Sequence, residues 1–292
     1  MRRFAWASLA SLWALLIPDS AASQELRASS GVSPPSAASR VDIGTFRPYW
    51  GAGPTRPFAA VTFDTAGIAV RTELDLGIGK PHHEWAGLEL TSNLSLRGLS
   101  EFLGIRAVLP WANLRFGSRF VSLFSQRLIP EKEVVTRTDL DADEGLKSHY
   151  LTVDGEVNFN IPLPVGTLGI GGGAYGIFFL PRGYFVLEDN LRTVVAAPFV
   201  ARGRASYLFG VGNPDTLQIG AVAEVIVNPA RELVNVRVGP AVAVSLTHHF
   251  EAVGVAVFSV FNPDEIGLAG ADLGQIGLRY RWATGDLWPE FP

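Results

Sequence analysis

The feature that most constrains this chain is a strict alternation of apolar and polar residues. In SHYLTVDGEVNFNIPLPVG, residues 148–166, the odd positions from Leu151 are apolar or glycine, and the even positions from Thr152 to Asn160 are polar. A period of two is that of a β-strand, whose successive side chains point to opposite faces. A soluble sandwich shows the same period, so strand length must distinguish that architecture from a barrel in lipid.

The alternating runs are long and even in number. We predict twelve strands, at residues 57–64, 67–79, 84–98, 100–109, 112–129, 148–162, 166–180, 193–210, 215–228, 232–247, 250–262 and 271–282. Ordinary globular strands average about 5 or 6 residues, whereas a tilted strand needs about 9–11 residues to cross hydrocarbon. Lipid also demands closure, because an open sheet edge would leave unpaired amides. The prediction is one closed, all-β, antiparallel transmembrane barrel at 57–282.

The start of the chain indicates export. Arg2 and Arg3 precede an apolar run from Phe4 to Ile17, and small residues follow at 21–23. This order is typical of a cleaved signal peptide, and the run is shorter than the ~20 residues of a spanning helix. We therefore predict a signal peptide at 1–23, a Pro/Ser/Gly-rich periplasmic linker at 24–56 and a periplasmic tail at 283–292. A net charge of −4 and the absence of Cys give no indication of nucleic-acid binding, disulfides or thiolate metal sites.

Connection lengths predict the orientation. The longest connections, 130–147, 181–192 and 263–270, fall at one end of an up-and-down barrel, and the other end has short turns. Longer loops face outward in outer-membrane barrels. The mature chain's tryptophans also fall at the short-turn end, as an interfacial belt would; they are Trp50, Trp85, Trp111, Trp282 and Trp288.

The last strand carries a motif. QIGLRYRW, residues 275–282, resembles the terminal β-signal of bacterial outer-membrane β-barrel proteins, in which a polar residue, a glycine and two aromatic residues recur at fixed spacing. The residues at those positions here are Gln275, Gly277, Tyr280 and Trp282. The resemblance implies recognition by the barrel-assembly machinery. One departure is that ATGDLWPEFP follows the final aromatic residue, where the family usually ends.

The polar face of the strands supplies the candidate functional residues. Predicted lumen-lining side chains are Arg71, Arg97, Arg115, Arg119, Asp154, Glu156, Arg202, Arg204, Glu224, Arg237, Arg279 and Arg281. With Glu73, Asp75 and Glu89 added, nine arginines face six carboxylates. Such a surplus favours anions in a pore. The alternative is that opposite charges pair and fill a narrow barrel.

Three other motifs have structural explanations. GGGAYG at 171–176 has nucleotide-loop spacing but lies inside a strand, where glycines make room for bulky neighbours. DLDADEG at 139–145 lacks the glycine and glutamate that a calcium loop needs, so we interpret it as a solvated acidic loop. A loose contact with the divalent ions that bridge surface lipopolysaccharide is the alternative. The histidine pairs His82–His83 and His248–His249 lie on different turns, so we predict no metal site.

No sequence motif predicts catalysis. Ser148 and His149 are adjacent, so they point to opposite faces of a strand, and no Gly-x-Ser-x-Gly elbow occurs. We expect a barrel that is not an enzyme and has no cofactor, located in the bacterial outer membrane among lipid and lipopolysaccharide. Its expected function is a narrow porin-like channel for small solutes with weak anion preference. A plugged structural or surface-interaction barrel is the alternative, and a lipid-modifying enzyme is a more distant one.

Overall fold

A computed structural model describes residues 53–66, 69–140, 147–212, 216–267 and 273–285. Fifteen strands, β1–β15 in chain order, occupy these ranges. Twelve build the barrel: β1 (Arg56–Ala66), β2 (Ala69–Lys80), β3 (Glu84–Leu94), β4 (Gly98–Val108), β5 (Ala112–Arg127), β7 (Lys147–Pro162), β8 (Thr167–Phe178), β11 (Phe199–Gly210), β12 (Leu217–Asn228), β13 (Leu233–Ser245), β14 (Phe250–Phe261) and β15 (Leu273–Ala283). Three short strands lie between them: β6 (Ile129–Pro130), β9 (Tyr184–Glu188) and β10 (Thr193–Val195).

The barrel is closed by its first and last strands. Each barrel strand pairs antiparallel with the next one along the chain, and β1 pairs with β15 as well as with β2. At this seam Phe63 lies opposite Tyr280 and Asp64 lies opposite Arg279. The predicted fold class, a single closed antiparallel barrel of twelve strands, is confirmed. None of the helices in the described ranges is long and apolar enough to cross a membrane.

The alternation of the sequence becomes an apolar exterior and a polar interior. On β3, Leu88 and Leu90 are exposed, while Glu89 and Thr91, which alternate with them, are buried. Other exposed outward side chains are Leu103, Ile105, Leu114, Phe116, Phe120, Phe159, Ile161, Val234, Val238, Phe258, Ile276 and Leu278. An apolar outer face and charged inner face are the arrangement of a barrel in lipid and the inverse of a soluble one.

The predicted strand at 193–210 is two separate strands in the structure. Residues 193–195 form β10, which pairs with β9 rather than with the barrel wall, and the wall resumes at Phe199. Together β6, β9 and β10 make a three-stranded sheet in the order β10-β9-β6. Val194 and Val195 appear to continue the alternation of β11, but both side chains are fully buried inside the barrel. Val194 packs in the core of the loops, and Val195 packs against inward-facing residues of the wall.

The long connections fold together as a cap at one end of the barrel. Its apolar core is formed by Ile129, Val135, Leu140, Phe185, Leu187, Val194, Ala196 and Ile266. A short helix, α1 (Arg137–Leu140), contributes Leu140 to this core. Arg231 follows β12, and its guanidinium forms two hydrogen bonds of 2.7 Å to the Asp264 carboxylate and lies 4.5 Å from the Phe185 ring centroid. The cap therefore has its own packing and ion pair.

The predicted belt of tryptophans at the short-turn end is observed only in part. Trp111 and Trp282 are exposed at the short-turn end, as predicted. Trp85 instead points into the barrel, where it is 3% exposed and packs edge-on against Phe58 with the ring centroids 5.6 Å apart. It closes the short-turn end together with Ala60 and Ala283. Trp50 and Trp288, the signal segment 1–23 and most of the linker lie outside the described residues.

Candidate functional site in the barrel interior

The inward charges form ion pairs with one another on β2, β3, β4 and β5. Glu73 accepts from Arg71 at 2.5 Å and from Arg106 at 2.7 Å. Glu89, which is fully buried, accepts from Arg115 at 2.9 Å and lies 3.4 Å from Arg106. Paired charges with several hydrogen bonds tolerate burial far better than single charges do. The network therefore explains how four strands can bury so much charge.

The network continues around the wall through β7, β8 and β11–β13. Glu156 accepts from the Tyr175 hydroxyl at 2.8 Å and from Arg202 at 3.2 Å. Glu224 accepts from Arg237 at 2.5 Å, and it lies opposite Arg204 in the register of β11 and β12. Each of the two carboxylates thus serves more than one arginine.

The seam of the barrel has its own ion pairs. Arg279 donates to Asp64 across the β1–β15 junction at 2.6 Å. Arg281 donates to Glu251 of β14 at 2.9 Å. The last strand is therefore joined to both neighbours by side chains as well as by backbone hydrogen bonds.

The hairpin of β9 and β10, residues 184–195, crosses the lumen. On one side Glu188 forms an ion pair with Arg119 of β5, which also donates to Asp154 at 2.8 Å. On the other side Arg237 of β13 donates to the carbonyl of Leu191 at 2.7 Å. In the strand order, β5 and β13 stand five places apart in a ring of twelve. The hairpin therefore spans from one wall to the nearly opposite one.

Side chains from the wall hold the base of the same hairpin. Asn228 accepts from the Ala196 amide at 3.0 Å and donates to the Ala196 carbonyl at 2.9 Å. Asn235 donates to the Thr193 hydroxyl at 3.1 Å. Apolar residues of the hairpin, Val186, Leu191 and Val195, pack against the inward-facing Val121, Tyr150 and Ile177. Polar and apolar contacts together fix this segment inside the wall.

The hairpin tip carries two buried charged groups outside the spanning strands. Burial, with a contribution from neighbouring Glu188, raises the pKa of Asp189 to about 6. Burial lowers the pKa of Arg192 to about 10. Arg97, Arg119 and Arg192 are the cations whose fields oppose the rise at Asp189. The Asp189 carboxyl is therefore the group at the tip whose charge changes near neutral pH.

Little open space remains at the middle of the barrel. A cavity of about 40 Å³ is bounded by wall residues and by Asn190 at the hairpin tip; the wall residues include Arg71, Thr91, Phe102, Arg115, Asp154 and Arg202. Charged side chains that line an open pore are in contact with water. Here Arg119 and Asp154 are only 3% and 1% exposed. Among the described residues, these charged side chains are packed away from water at this level.

Three carboxylates, Glu73, Asp75 and Glu89, come within 4.8 Å of one another on β2 and β3. Carboxylate oxygens are the donors that hard divalent cations prefer. Here the guanidinium groups of Arg71, Arg106 and Arg115 supply the compensating charge to Glu73 and Glu89. The cluster is accounted for as part of the ion-pair network.

The predicted lumen residues occupy inward positions on the wall, with one exception. Arg97 belongs to the β3–β4 turn, where its amide donates to the Ser95 hydroxyl at 3.2 Å. Sequence reasoning missed Arg106, Asp64 and Glu251 as inward charges, and Glu188 as a partner from a loop. The apolar–polar alternation of β1, β4 and β14 could have shown that Asp64, Arg106 and Glu251 face inward. The contact between Glu188 and Arg119 depends on how the loop folds, and the periodicity of the sequence does not predict this.

These missed residues remove the predicted basic surplus. Asp64 neutralises Arg279, Glu251 pairs with Arg281, and Glu188 shares Arg119 with Asp154. Among the described residues the interior therefore holds nearly balanced charge. The alternative of mutual pairing describes this interior better than an arginine ladder does.

The residues of the β-signal lie on β15. Tyr280 and Trp282 point outward, and Tyr280 packs against Phe250 of β14 with the ring centroids 5.0 Å apart. Gly277 lies opposite Ala66 on one side and Val253 on the other. The backbone of Gln275 pairs with Val255, and its side chain lies outside the described residues.

The glycine run on β8 makes room inside the wall. A Cβ placed on Gly173 would lie 2.5 Å from the Tyr175 hydroxyl, and one on Gly171 would lie 2.0 Å from the Asn158 side chain. A larger residue at either position would have to displace these side chains. Most of the acidic loop at 139–145 falls outside the described residues. Of the turn histidines, His82 is buried, and burial with nearby Arg281 lowers its pKa to about 3.

No family model matches the sequence, and no curated protein sequence matches it. Solved structures of similar shape include a KdgM porin in complex with disordered oligogalacturonate, 7% identical, covering 76% of this chain and 98% of that one, with a TM-score of 0.39. The outer-membrane protein Omp33 from Acinetobacter baumannii is 9% identical, with coverages of 78% and 99% and a TM-score of 0.38. The translocator domain of the autotransporter NalP from Neisseria meningitidis is 12% identical, with coverages of 79% and 89% and a TM-score of 0.35.

The class of the protein follows from its own architecture. Twelve strands close without a free edge, the outer face is apolar and the inner face is charged. Both membrane requirements, internal pairing of the backbone and an apolar surface toward lipid, are met. The chain is a closed β-barrel of the kind that spans a lipid bilayer.

Proposed function

We propose that the protein is a bacterial outer-membrane barrel whose lumen is plugged at rest. Its function would be structural or would consist of interactions at its surface, without transport. The observation that carries this proposal is the hairpin 184–195, which contacts Arg119 on one wall and Arg237 on the nearly opposite wall. The capping loops would face the cell exterior among lipopolysaccharide, after export by the signal segment 1–23. The assembly machinery would be its partner during biogenesis.

A narrow channel for small solutes is the second candidate function. It requires the hairpin to leave the lumen, which would remove Glu188 from Arg119 and the Leu191 carbonyl from Arg237. The wall would then gain uncompensated positive charge, and a weak preference for anions would follow. This candidate differs from the first because it requires the unmodified chain to release the hairpin and conduct.

Current through a planar bilayer tests both candidates. We expect the refolded full chain to show no steady conductance, and a variant with residues 184–195 replaced by a Gly/Ser linker to conduct. The matched control replaces Glu131, Lys132 and Glu133, which lie in the cap away from the lumen, with Gly and Ser. Steady conductance of the unmodified chain would contradict the plug.

The reversal potential of the hairpin-replaced variant separates the two candidates further. In a salt gradient, anion preference that moves toward cations in Arg202→Glu plus Arg204→Glu supports the channel. A hairpin-replaced barrel that folds but does not conduct would contradict both candidates, because it would show that the hairpin is not what closes the lumen.

A further inference from the structure

The outward face of four adjacent strands carries a group of polar side chains near the cap end. They are Ser92 on β3, Glu101 on β4, Ser122 on β5 and His149 on β7. In the register Ser92 lies opposite Glu101, and Ser122 lies opposite His149. Alternation places them outside the barrel, because Phe102, Val121 and Tyr150 beside them are buried in the interior.

This polar group lies inside the apolar band rather than above it. Ser122 stands between Phe120 and Phe124, which are 49% and 51% exposed on the same face. Ser92 likewise stands between the exposed Leu90 and Leu94. Polar and ionisable groups facing hydrocarbon are costly, and where they occur they mark functional sites.

Ser122 and His149 have the geometry of a nucleophile and its base. The Ser122 hydroxyl oxygen and His149 Nδ1 are 3.0 Å apart, and both residues are accessible from outside the barrel. Hydrogen-bond reach between a hydroxyl and an imidazole nitrogen is the contact through which a base activates a serine. Glu101 is held by the Ser92 hydroxyl at 2.7 Å, so we give it no part in the chemical step.

We propose that Ser122 and His149 form a hydrolytic site for acyl esters of lipid in the outer leaflet. The site opens toward lipid at the end of the barrel that carries the capping loops. Ester groups of membrane lipids lie at the boundary between acyl chains and headgroups, and Ser122 is one pleat below the last exposed aromatic residue of β5, Phe124.

The reaction is a hydrolysis that balances without a cofactor. The Ser122 oxygen attacks the acyl carbonyl carbon while His149 Nδ1 takes the hydroxyl proton. The ester carbon–oxygen bond breaks, and His149 returns that proton to the leaving alcohol. Water, deprotonated by His149, then attacks the acyl-serine, which releases the fatty acid and restores the serine.

This proposal departs from the sequence-based expectation that the chain is not an enzyme. Sequence reasoning compared His149 only with its chain neighbour Ser148. The partner that the fold provides is 27 positions away. Only the pairing of β5 with β7 across a long connection brings Ser122 to His149.

A fluorophosphonate probe on the folded full chain in vesicles tests the proposal. We expect covalent labelling of the unmodified protein, loss of at least about 100-fold in labelling rate in Ser122→Ala, and a loss of similar size in His149→Asn. Ser118→Ala is the matched control, because Ser118 is exposed on the same face of β5 and lies opposite Val153 instead of a histidine. Its labelling should equal that of the unmodified protein.

Fatty-acid release gives the second readout. Vesicles that contain ester-linked phospholipid should release fatty acid with the unmodified chain and with Ser118→Ala, but not with Ser122→Ala. A variant counts only if its migration on an unheated gel shows a folded barrel. A folded, unmodified protein that neither reacts with the probe nor releases fatty acid overturns the proposal, as does equal labelling of folded Ser122→Ala.

Discussion

At the scale of single residues, Asp189 is the group through which we expect pH to act on the hairpin 184–195. Its carboxyl is buried at the hairpin tip beside Glu188, and Arg97, Arg119 and Arg192 are the cations that act on it. A carboxyl with a folded-state pKa of about 6, above its ordinary value of 3.8, favours the docked hairpin while it is protonated. That contribution is complete below about pH 4 and is lost as pH rises through 6.

We therefore predict that the hairpin loosens between pH 4 and pH 7. A single cysteine at Asn190 would report this, because the natural chain has no Cys. The rate of labelling, corrected for the thiol's own ionisation with an unfolded peptide, should rise about tenfold or more, since one pKa unit corresponds to a factor of ten. Adding Asp189→Asn should abolish the rise; a rise that persists would assign it to another group.

At the scale of elements, β15 is the strand that closes the barrel and has to pair with two neighbouring strands. Its residues pair with β14 on one side and with β1 on the other, and the Arg279–Asp64 ion pair crosses the seam. Tyr280 and Trp282 lie on its outer face near the short-turn end. The strand that closes the barrel is thus also the one that carries the assembly motif.

We predict that replacing both Tyr280 and Trp282 by Ala leaves the chain unassembled in the periplasm. The expected cause is lost recognition, together with the lost contact between Tyr280 and Phe250. Ile276→Ala is the control, since Ile276 is 82% exposed on the same face but lies between motif positions. Fractionation followed by surface proteolysis measures the outcome, and normal surface levels of the double variant would contradict the prediction.

At the scale of the whole molecule, closure makes the barrel a cooperative unit. No described barrel strand has a free edge, because each pairs with two neighbours. The interior adds ion pairs that run from β2 to β13 through shared carboxylates such as Glu89, Glu156 and Glu224. Local opening would therefore break both backbone ladders and buried ion pairs.

We predict heat-modifiable migration of the intact protein in detergent. The unheated chain should migrate faster than the boiled one, because the closed barrel resists detergent unfolding and stays compact. The same gel provides the folding control for the variants above. A chain that stays monodisperse and soluble without detergent would contradict a barrel in lipid.

The sequence by itself determined the number of barrel strands and which face of each is apolar, and it gave the approximate strand lengths except at 193–210. These properties follow from a local period, and the alternation of Leu88, Glu89 and Leu90 can be read without knowing any neighbour. It also contained most of the inward arginines. It did not reveal their partners, because a period specifies a face but not the residue across the lumen.

Tertiary structure alone decided whether the interior is open and what meets on its outer wall. The hairpin 184–195 fills the lumen because its buried contacts lie on β5 and β13, distant in sequence from one another. Ser122 meets His149 through the pairing of β5 with β7. Both features depend on how strands are ordered around a closed sheet and how loops fold onto it, which are properties of long-range contacts rather than of local pattern.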